Sequence, residues 1–313
     1  MQNTQNDLYD VAIVGGGPAA HSAALYARRK ELKTAMIAKE EGGQLLYSSE
    51  IDNYLGVPDV EAFELVKKFR GHVDKYEPEK IEDEVLDVEK DEEFRLKLDK
   101  GEELRSRTLI IATGAKWRKL DVPGEEEFSG KGLSYCTTCD GPLFAGADVA
   151  VVGGGNSAFE GIIDLLPIAN RIVNVDIAPE PIADPVLQRH VENSDHLDEV
   201  ELERYYGHEI LEILGDEMVT GLSLRDRDTG EEKEVEVEGI FVEIGLIPNS
   251  GFVDHLVETN DAGEIVVGCD SETNVEGLFA AGDVTSVPEK QIIIAAGEGA
   301  KAALGAYRYL IHQ

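Results

Sequence analysis

A glycine-rich segment that occurs twice in the chain restricts the fold more than any other feature. Residues 10–20 (DVAIVGGGPAA) and 148–158 (DVAVVGGGNSA) are identical at eight of eleven positions. In each copy a short β-branched run precedes the glycines and a helical pattern follows, over 21–30 and 159–166, where Pro167 ends the second. A strand, a tight glycine turn and a helix form the dinucleotide-binding unit of a Rossmann-like fold. The repeat therefore predicts an α/β protein with two such units.

The glycines predict a phosphate-binding turn in each unit. Gly15 and Gly17, with Ala20 behind them, let the backbone approach a pyrophosphate whose charge the helix N-terminus stabilises. A tight turn without a ligand is the alternative for a single copy, and the duplication argues against it. The residues that we expect to line the second turn are Gly153, Gly155, Asn156 and Ser157.

The residue that binds the ribose distinguishes the nucleotides. An acidic side chain about 20 positions beyond the glycines accepts hydrogen bonds from ribose hydroxyls. Glu40 is the candidate in the first unit, and Asp176, at the end of a predicted strand over 171–176, is the candidate in the second. No arginine cluster follows Asp176 to hold a 2′-phosphate. The sequence favours NADH over NADPH, with NADPH still possible.

The remaining segments complete an α/β pattern. Residues 62–76 predict an amphipathic helix with Phe63, Val66, Phe69 and Val73 on its packing face. The other predicted elements are a hairpin over 84–100 that covers the first sheet, strands over 108–112, 239–244, 264–267 and 277–281, and a helix over 291–312.

The element order predicts that the second unit is inserted into the first. The last strands and the last helix follow the second unit, and we expect them to complete the first one. Proline-containing stretches at 116–124 and 245–250 are the expected hinges. The predicted domains are 1–117 with 247–313, and 118–246.

Cys136 and Cys139 form a Cys-x-x-Cys motif in the connector between the units. A closed zinc site needs more ligands, but the third cysteine, Cys269, is distant in sequence and no histidine is near, so we predict no metal. A purely structural disulfide across so short a loop stabilises little. Redox exchange is the function that these arguments leave for Cys136 and Cys139.

Asp140, next to the second cysteine, is a candidate to move protons for the thiolates if its pKa is raised. The alternative is an aspartate that caps a helix or stabilises a turn.

Composition limits the partners. The chain has 63 Asp and Glu against 29 Lys and Arg, a formal charge of −34, which repels nucleic acid and anionic membranes. Such a surface serves solubility or adapts the protein to a high-salt cytosol, and the sequence does not choose between them. The polar first residues lack a secretory signal, and the apolar runs are strand-sized. We expect a cytoplasmic protein outside the membrane.

Taken together, these motifs resemble those of the low-molecular-weight thioredoxin reductases, and still more those of the thioredoxin-reductase-like part of the flavoprotein subunit of alkyl hydroperoxide reductase. The similarity runs nearly end to end. The motifs that carry it are 42–44 (GGQ), 51–54 (IDNY), 112–117 (ATGAKW), 122–124 (VPG), 136–144 (CTTCDGPLF), 153–157 (GGGNS), 178–180 (APE), 272–274 (ETN), 281–283 (AGD) and 290–299 (KQIIIAAGEG).

The resemblance implies a homodimeric thioredoxin-disulfide reductase with FAD in the first domain and NAD(P)H in the second. Cys139 would be the sulfur nearest the flavin, and Cys136 would attack the disulfide of a thioredoxin- or glutaredoxin-like protein. Rotation of the nicotinamide domain would alternate reduction of the dithiol with its exposure. The residues implied to bind FAD are Gly15, Gly17, Ala20, Glu40, Gln44, Asn53, Thr113, Gly114, Asp283 and Gln291.

The chain departs from the family pattern in three places. NADPH-specific thioredoxin reductases carry a His-Arg-Arg run where this chain reads 175–180 (VDIAPE), as in the NADH-using flavoprotein. Lys39 stands where that flavoprotein has its ribose-binding acid. The flavoprotein also has an N-terminal disulfide-carrying domain, whereas about nine residues precede the first unit here, so we expect a separate protein as acceptor.

Three alternatives remain open from the sequence. Ferredoxin or another carrier could replace the nicotinamide donor, because the second unit lacks a positive pocket for a 2′-phosphate. A peroxiredoxin could lie downstream of the dithiol. A non-catalytic flavin-binding protein would resemble the dithiol-free relatives of this fold, although the intact Cys136 and Cys139 argue against that hypothesis.

Overall fold

The computed structural model describes residues 8–47 and 50–313. The chain forms two compact units, Met1–Lys116 with Ile247–Gln313, and Trp117–Leu246. Each contains a sheet with a parallel core, a glycine turn and a following helix, which confirms the predicted α/β class with two Rossmann-like domains. None of the helices in the described ranges is long and apolar enough to cross a bilayer.

The first unit is built on a seven-stranded sheet. The strands of this unit are β1 (Leu8–Val14), β2 (Thr34–Ile37), β3 (Glu50–Ile51), β4 (Val60–Glu61), β5 (Glu79–Ile81), β6 (Val85–Lys90), β7 (Phe94–Leu98), β8 (Glu103–Ile111) and β19 (Leu278–Ala280). The order in the seven-stranded sheet is β5-β2-β1-β8-β7-β6, and β19 also pairs with β8. Its helices are α1 (Pro18–Arg29), α2 (Ala62–Asp74) and α6 (Ile292–Ile311). Two strands, β9 (Ala115–Trp117) and β18 (Leu246–Pro248), pair where the chain passes between the units.

Helices α1 and α6 pack through small residues. Alanines 19, 20, 23, 24 and 27 of α1 share one buried cluster with alanines 302, 303 and 306 of α6. A Cβ added to Gly299 of α6 would lie 2.0 Å from the carbonyl oxygen of Ala19. The two helices therefore pack backbone against backbone, which positions the N-terminus of α1 at the first glycine turn.

Three expectations for the first unit need correction. Phe63 is 56% exposed, and Leu65 takes its place on the packing face of α2. The hairpin of β6 and β7 does not lie over the sheet but extends it, because β7 is hydrogen-bonded to β8. The predicted strand over 264–267 is reduced to isolated bridges at Ile265.

The second unit has three layers. Five parallel strands form its central sheet, namely β10 (Leu133–Ser134), β11 (Asp148–Val152), β12 (Arg171–Asp176), β13 (Glu201–Tyr206) and β17 (Gly239–Val242). Their order in the sheet is β10-β17-β11-β12-β13. The antiparallel strands are β14 (His208–Gly215), β15 (Val219–Asp226) and β16 (Glu232–Glu236), and the helices are α3 (Thr137–Asp140), α4 (Asn156–Leu165) and α5 (Pro185–Glu192).

Alternate side chains of β11 show how these layers pack. Val149 and Val151 lie in one buried cluster with Ile162 of α4. Ala150 and Val152 lie in another with Leu222 of β15. Helix α4 and the three-stranded sheet therefore cover opposite faces of the parallel sheet, which leaves the carboxyl ends of its strands to form the site.

Candidate active site

Both glycine turns are shaped so that only glycine fits their first position. Gly15 has φ +135° and Gly153 has φ +131°. A Cβ at Gly15 would lie 2.1 Å from the oxygen of Ala112, and one at Gly153 would lie 2.5 Å from the oxygen of Glu243. Each turn is thus pressed against the end of a neighbouring strand, and the path of the chain into the helix is set.

The helix N-termini that follow these turns offer free space. Gly17 and Gly155 are the N-caps of α1 and α4, and as glycines they have no side chain that could accept the first helical N–H groups. A Cβ at either glycine would meet nothing within 4 Å. An open glycine beside uncapped helical N–H groups fits a nucleotide diphosphate. Ala20 is fully buried in α1 and contributes packing at this point.

Gln44 connects two strand ends of the first unit. Its Nε2 donates to the carbonyl oxygen of Ala115 at 2.9 Å and to Oδ2 of Asp283 at 3.2 Å. Burial raises the pKa of the Asp283 carboxyl, and Lys290 partly opposes that rise. Asp283 follows β19, so this edge of the sheet holds a carboxyl and an amide close together, as a polar cofactor chain requires.

The other residues predicted to bind FAD lie in the same unit. Thr113 donates its hydroxyl to the carbonyl oxygen of Asn249 at 2.7 Å, and the Asn249 side chain donates back to the Thr113 carbonyl at 2.9 Å. Gly114 has φ +67° and free space beside it. Asn53 Nδ2 donates to Oε1 of Gln291 at 3.2 Å. Their contact with FAD stays a prediction.

The loop after β2 differs from the sequence expectation. The side chain of Glu40 is exposed, and only its carbonyl oxygen approaches the turn, 2.1 Å from where a Cβ of Gly16 would lie. Lys39 forms an ion pair with Glu84. The ribose-binding role of Glu40 therefore stays a prediction that the exposed side chain does not support.

Sequence reasoning missed Glu41. Its carboxylate accepts hydrogen bonds from Nε2 of buried His21 at 3.0 Å and from Lys80 at 3.1 Å. The bond from His21, followed by those from Lys80, lowers the pKa of Glu41 to about 2. Glu41 thus joins α1, the loop and β5 directly behind the first glycine turn.

Asp176 lies against the second turn. A Cβ at Gly154 would be 1.8 Å from Oδ2 of Asp176, and Oδ1 accepts from the backbone N–H of Ala178 at 3.2 Å. The carboxylate is therefore held beside the glycines. Asn156 and Asp184 exchange hydrogen bonds of 3.1 and 2.8 Å, whereas Ser157 is exposed.

The cysteine pair is a disulfide. Cys136 and Cys139 are bonded to each other across α3, and the backbone N–H of Cys139 also donates to Sγ of Cys136 at 3.2 Å. Cys269 is an exposed free thiol. Over residues 8–47 and 50–313, no group of three His, Cys, Asp or Glu side chains could hold a metal ion.

A hydrogen-bonded chain links Asp140 to the disulfide. Ser134 donates its hydroxyl to Oδ2 of Asp140 at 2.6 Å and accepts the N–H of Cys136 at 3.1 Å. Burial raises the pKa of Asp140, and the bond from Ser134 partly opposes it. A carboxyl with a raised pKa next to the disulfide fits the expected proton carrier, and that role stays a prediction.

The segment before Cys136 is fixed by aromatic contacts that the sequence did not indicate. Tyr135 donates its hydroxyl to Oε1 of Glu125 at 2.9 Å and stacks on Trp117 with ring centroids 5.3 Å apart. Glu125 is 2% exposed, and it also accepts the N–H groups of Leu120 and Asp121 at 2.8 Å.

This fold and site define a class of enzyme that exchanges electrons between a pyridine nucleotide and a disulfide. A family model described as pyridine nucleotide-disulphide oxidoreductase matches residues 9–299. The chain belongs to this family, which implies FAD and a pyridine nucleotide as cofactors, and the open glycine turns of both units fit such ligands.

The relatives agree with the resemblance seen in the sequence. The chain is 46% identical over 304 residues to a protein named NADH dehydrogenase from Bacillus subtilis. It is 44% identical over 313 residues to a protein of Escherichia coli that is named as a subunit of alkyl hydroperoxide reductase. These matches cover 97% and 98% of the chain but 59% of each relative.

Solved structures give the same result. Thioredoxin reductase from Streptococcus pyogenes matches with a TM-score of 0.91 and 34% identity, covering 99% of this chain and all of that one. Thioredoxin reductase from Giardia duodenalis matches with a TM-score of 0.92 and 30% identity, covering 98% of this chain and all of that one. The predicted membership among proteins related to low-molecular-weight thioredoxin reductases is confirmed.

Proposed function

We propose that the chain is an FAD-dependent, NADH-driven thioredoxin-disulfide reductase. FAD would bind in the first unit and NADH in the second, and the acceptor would be the disulfide of a thioredoxin- or glutaredoxin-like protein. One observation carries the proposal. The Cys136–Cys139 disulfide follows β10, and the second glycine turn follows β11, so both lie at the carboxyl edge of one parallel sheet.

The chemistry that we propose is two-step thiol–disulfide exchange. When bound, FAD and the nicotinamide supply the two electrons that open the disulfide. The Cys136 thiolate attacks one sulfur of the partner disulfide, forms a mixed disulfide and releases the other sulfur as a thiolate. The Cys139 thiolate then attacks Sγ of Cys136, which restores the internal disulfide and releases the second sulfur. Two protons, with Asp140 as the nearest carrier, end on the thiols of the partner.

The proposed preference for NADH is supported by Asp176. Its carboxylate lies against Gly154, where an acidic group accepts ribose hydroxyls and repels a 2′-phosphate. Support for a thioredoxin-like acceptor comes from the similar thioredoxin reductases, and we propose a homodimer by the same analogy. The relatives named as alkyl hydroperoxide reductase components favour a second candidate, in which a peroxiredoxin receives the electrons.

The test separates the flavin step from the disulfide step. Stopped-flow mixing with NADH and NADPH, without oxygen, should bleach the flavin band faster with NADH. In Cys136→Ser the flavin should still bleach, but reduction of thioredoxin or glutaredoxin should fall by about 1,000-fold or more, because the attacking sulfur is gone. Cys269→Ser, which removes the exposed third thiol, is the matched control and should keep the full rate.

Two outcomes would overturn the proposal. One is a Cys136→Ser protein that reduces the partner as fast as the unmodified chain. The other is purified protein that takes up no FAD. Adding a peroxiredoxin with and without thioredoxin decides between the two acceptors.

A further inference from the structure

A partly buried carboxylate at the end of β17 contacts the dithiol helix. Glu243 follows β17, the strand that lies between β10, which leads to Cys136, and β11, which leads to the second glycine turn. Its backbone N–H donates to the carbonyl oxygen of Val152 at 2.8 Å. Its carbonyl oxygen lies against Gly153. Glu243 therefore touches the nucleotide turn through its backbone, and its side chain extends to α3.

That side chain binds both hydrogen-bond donors of Thr137, the residue directly after Cys136. Oε1 of Glu243 accepts the backbone N–H of Thr137 at 3.0 Å and its hydroxyl at 2.7 Å. Thr137 is 5% exposed and packs on α4, where a Cβ at Gly161 would lie 2.8 Å from its hydroxyl oxygen. Neither donor of Thr137 is left to turn towards the sulfur of Cys136.

The negative charge of Glu243 and its binding of the two Thr137 donors both make the Cys136 thiolate less stable. In Cys-x-x-Cys helices, N–H groups at the helix start stabilise the thiolate of the first cysteine and lower its pKa. Here the N–H of Cys139 donates to Sγ of Cys136, whereas both donors of Thr137 are held by the carboxylate. A less stable thiolate makes the reduced pair less stable, and hence a stronger reductant.

We propose that Glu243 is a positioning residue of the dithiol: by binding both donors of Thr137 beside a negative charge, it withholds stabilisation from the Cys136 thiolate and keeps the pair strongly reducing. The inference rests on the proposed function, in which this pair donates electrons to a partner. Burial raises the pKa of Glu243, the two bonds from Thr137 oppose that rise, and the nearby acids Asp164 and Glu160 of α4 add to it. The other nearby acid is Asp140 of α3.

Two substitutions separate the hydrogen bonds that Glu243 accepts from the effect of its charge. Glu243→Gln keeps a carbonyl oxygen for Thr137 but removes the charge, whereas Glu243→Ala removes both. After equilibration with glutathione redox buffers, the dithiol form should become more favoured by about threefold in Glu243→Gln and by about tenfold in Glu243→Ala, which corresponds to about 30 mV. Alkylation of Cys136 by iodoacetamide in a Cys139→Ser background should shift to lower pH in the same order.

The contact of Thr138, the next residue of α3, with Asp164 of α4 provides the control. Asp164 accepts the hydroxyl of Thr138 at 3.2 Å, which is a similar contact one residue along but an exposed one. Asp164→Asn should change the glutathione equilibrium by less than about twofold, because exposed pairs contribute little. Adding Thr137→Val to Glu243→Ala removes the released hydroxyl, so the double variant should regain part of the original reducing strength.

The readouts need neither nicotinamide nor a partner protein, so their failure is distinct from failure of the proposed function. Unchanged equilibrium and alkylation profiles in both Glu243 variants would overturn the inference, as would an equal effect of Asp164→Asn. If Glu243→Ala does not fold, Glu243→Gln decides, because it preserves the volume and the acceptor oxygen.

Discussion

Single side chains distinguish the two otherwise matching turns. In the second unit the Asp176 carboxylate lies on Gly154, and the residue at the same offset in the first unit is Ala38, whose Cβ approaches Gly16. Among the described residues, the first unit therefore has no acidic side chain at this point of the turn. The motif spacing of about 20 residues located the acid in the second unit, and in the first unit it indicated the exposed Glu40.

Replacing Asp176 by Asn should relax the choice of nucleotide. The substitution keeps the shape but removes the charge that repels a 2′-phosphate, so the preference for NADH over NADPH in flavin bleaching should fall by about tenfold. The matched control is Glu180→Gln, an exposed acid in the following loop, which should leave the ratio unchanged. A ratio that Asp176→Asn does not alter would remove the support for NADH.

Glu41 should make the free energy of unfolding depend on pH at acidic values. Its pKa in the folded protein, about 2, lies below the ordinary value of 4.5, so its contribution is complete above pH 4.5 and is lost as the pH falls towards 2. Glu41→Gln should lower the free energy of unfolding by about 1 kcal/mol or more at pH 7, and by less at pH 3. Denaturant titrations at both pH values measure this. Glu64→Gln, from an exposed pair with Lys67, should show no such trend.

At the scale of elements, the contact of α1 with α6 depends on glycine at one position. Gly299→Ala would place a Cβ 2.0 Å from the carbonyl oxygen of Ala19 and force the helices apart, which should cost about 1 to 3 kcal/mol and weaken FAD retention. Gly297→Ala, in the same helix but with nothing within 4 Å, should stabilise by up to about 1 kcal/mol. Thermal melts and flavin release measure both, and equal effects would contradict this packing.

The elements that sequence predicted best are those with strong local patterns. The strand over 171–176 matches β12 residue for residue, and the final helix differs by one residue at each end. Such segments carry continuous β-branched runs or a long apolar period. The predicted packing face of α2 was wrong at Phe63. The helical period alone does not decide whether Phe63 or Leu65 is the buried residue.

The residues of the candidate site also differ in whether a local sequence motif indicates them. Local motifs indicated Cys136, Asp140 and Asp176, because the cysteines and glycines are close in sequence. Glu243 was missed, since it lies 106 residues from Thr137 and meets it only when β17 is placed beside β10. No strand was predicted for the three-stranded sheet of β14 to β16, and four of the five residues of β16 are exposed and charged, which hides the alternating pattern of a strand.

For the whole molecule, the net charge of −34 predicts a response to salt. Like charges repel in the compact state, and raising the ionic strength from 0.05 to 1 M shortens the screening length from roughly 14 to 3 Å. The melting temperature should rise by on the order of 5 °C in KCl. Sucrose of equal osmolarity is the control, and a melting temperature that falls or stays constant in KCl would contradict net repulsion.

Trp117 is the single tryptophan of the chain, and it stacks on the tyrosine that precedes the first redox cysteine. Its emission comes from one known place in the molecule. We expect opening of the Cys136–Cys139 bond to change this emission, which can be measured without a dye and without a second indole to subtract. The protein thus contains its own optical probe beside the segment that leads to the disulfide.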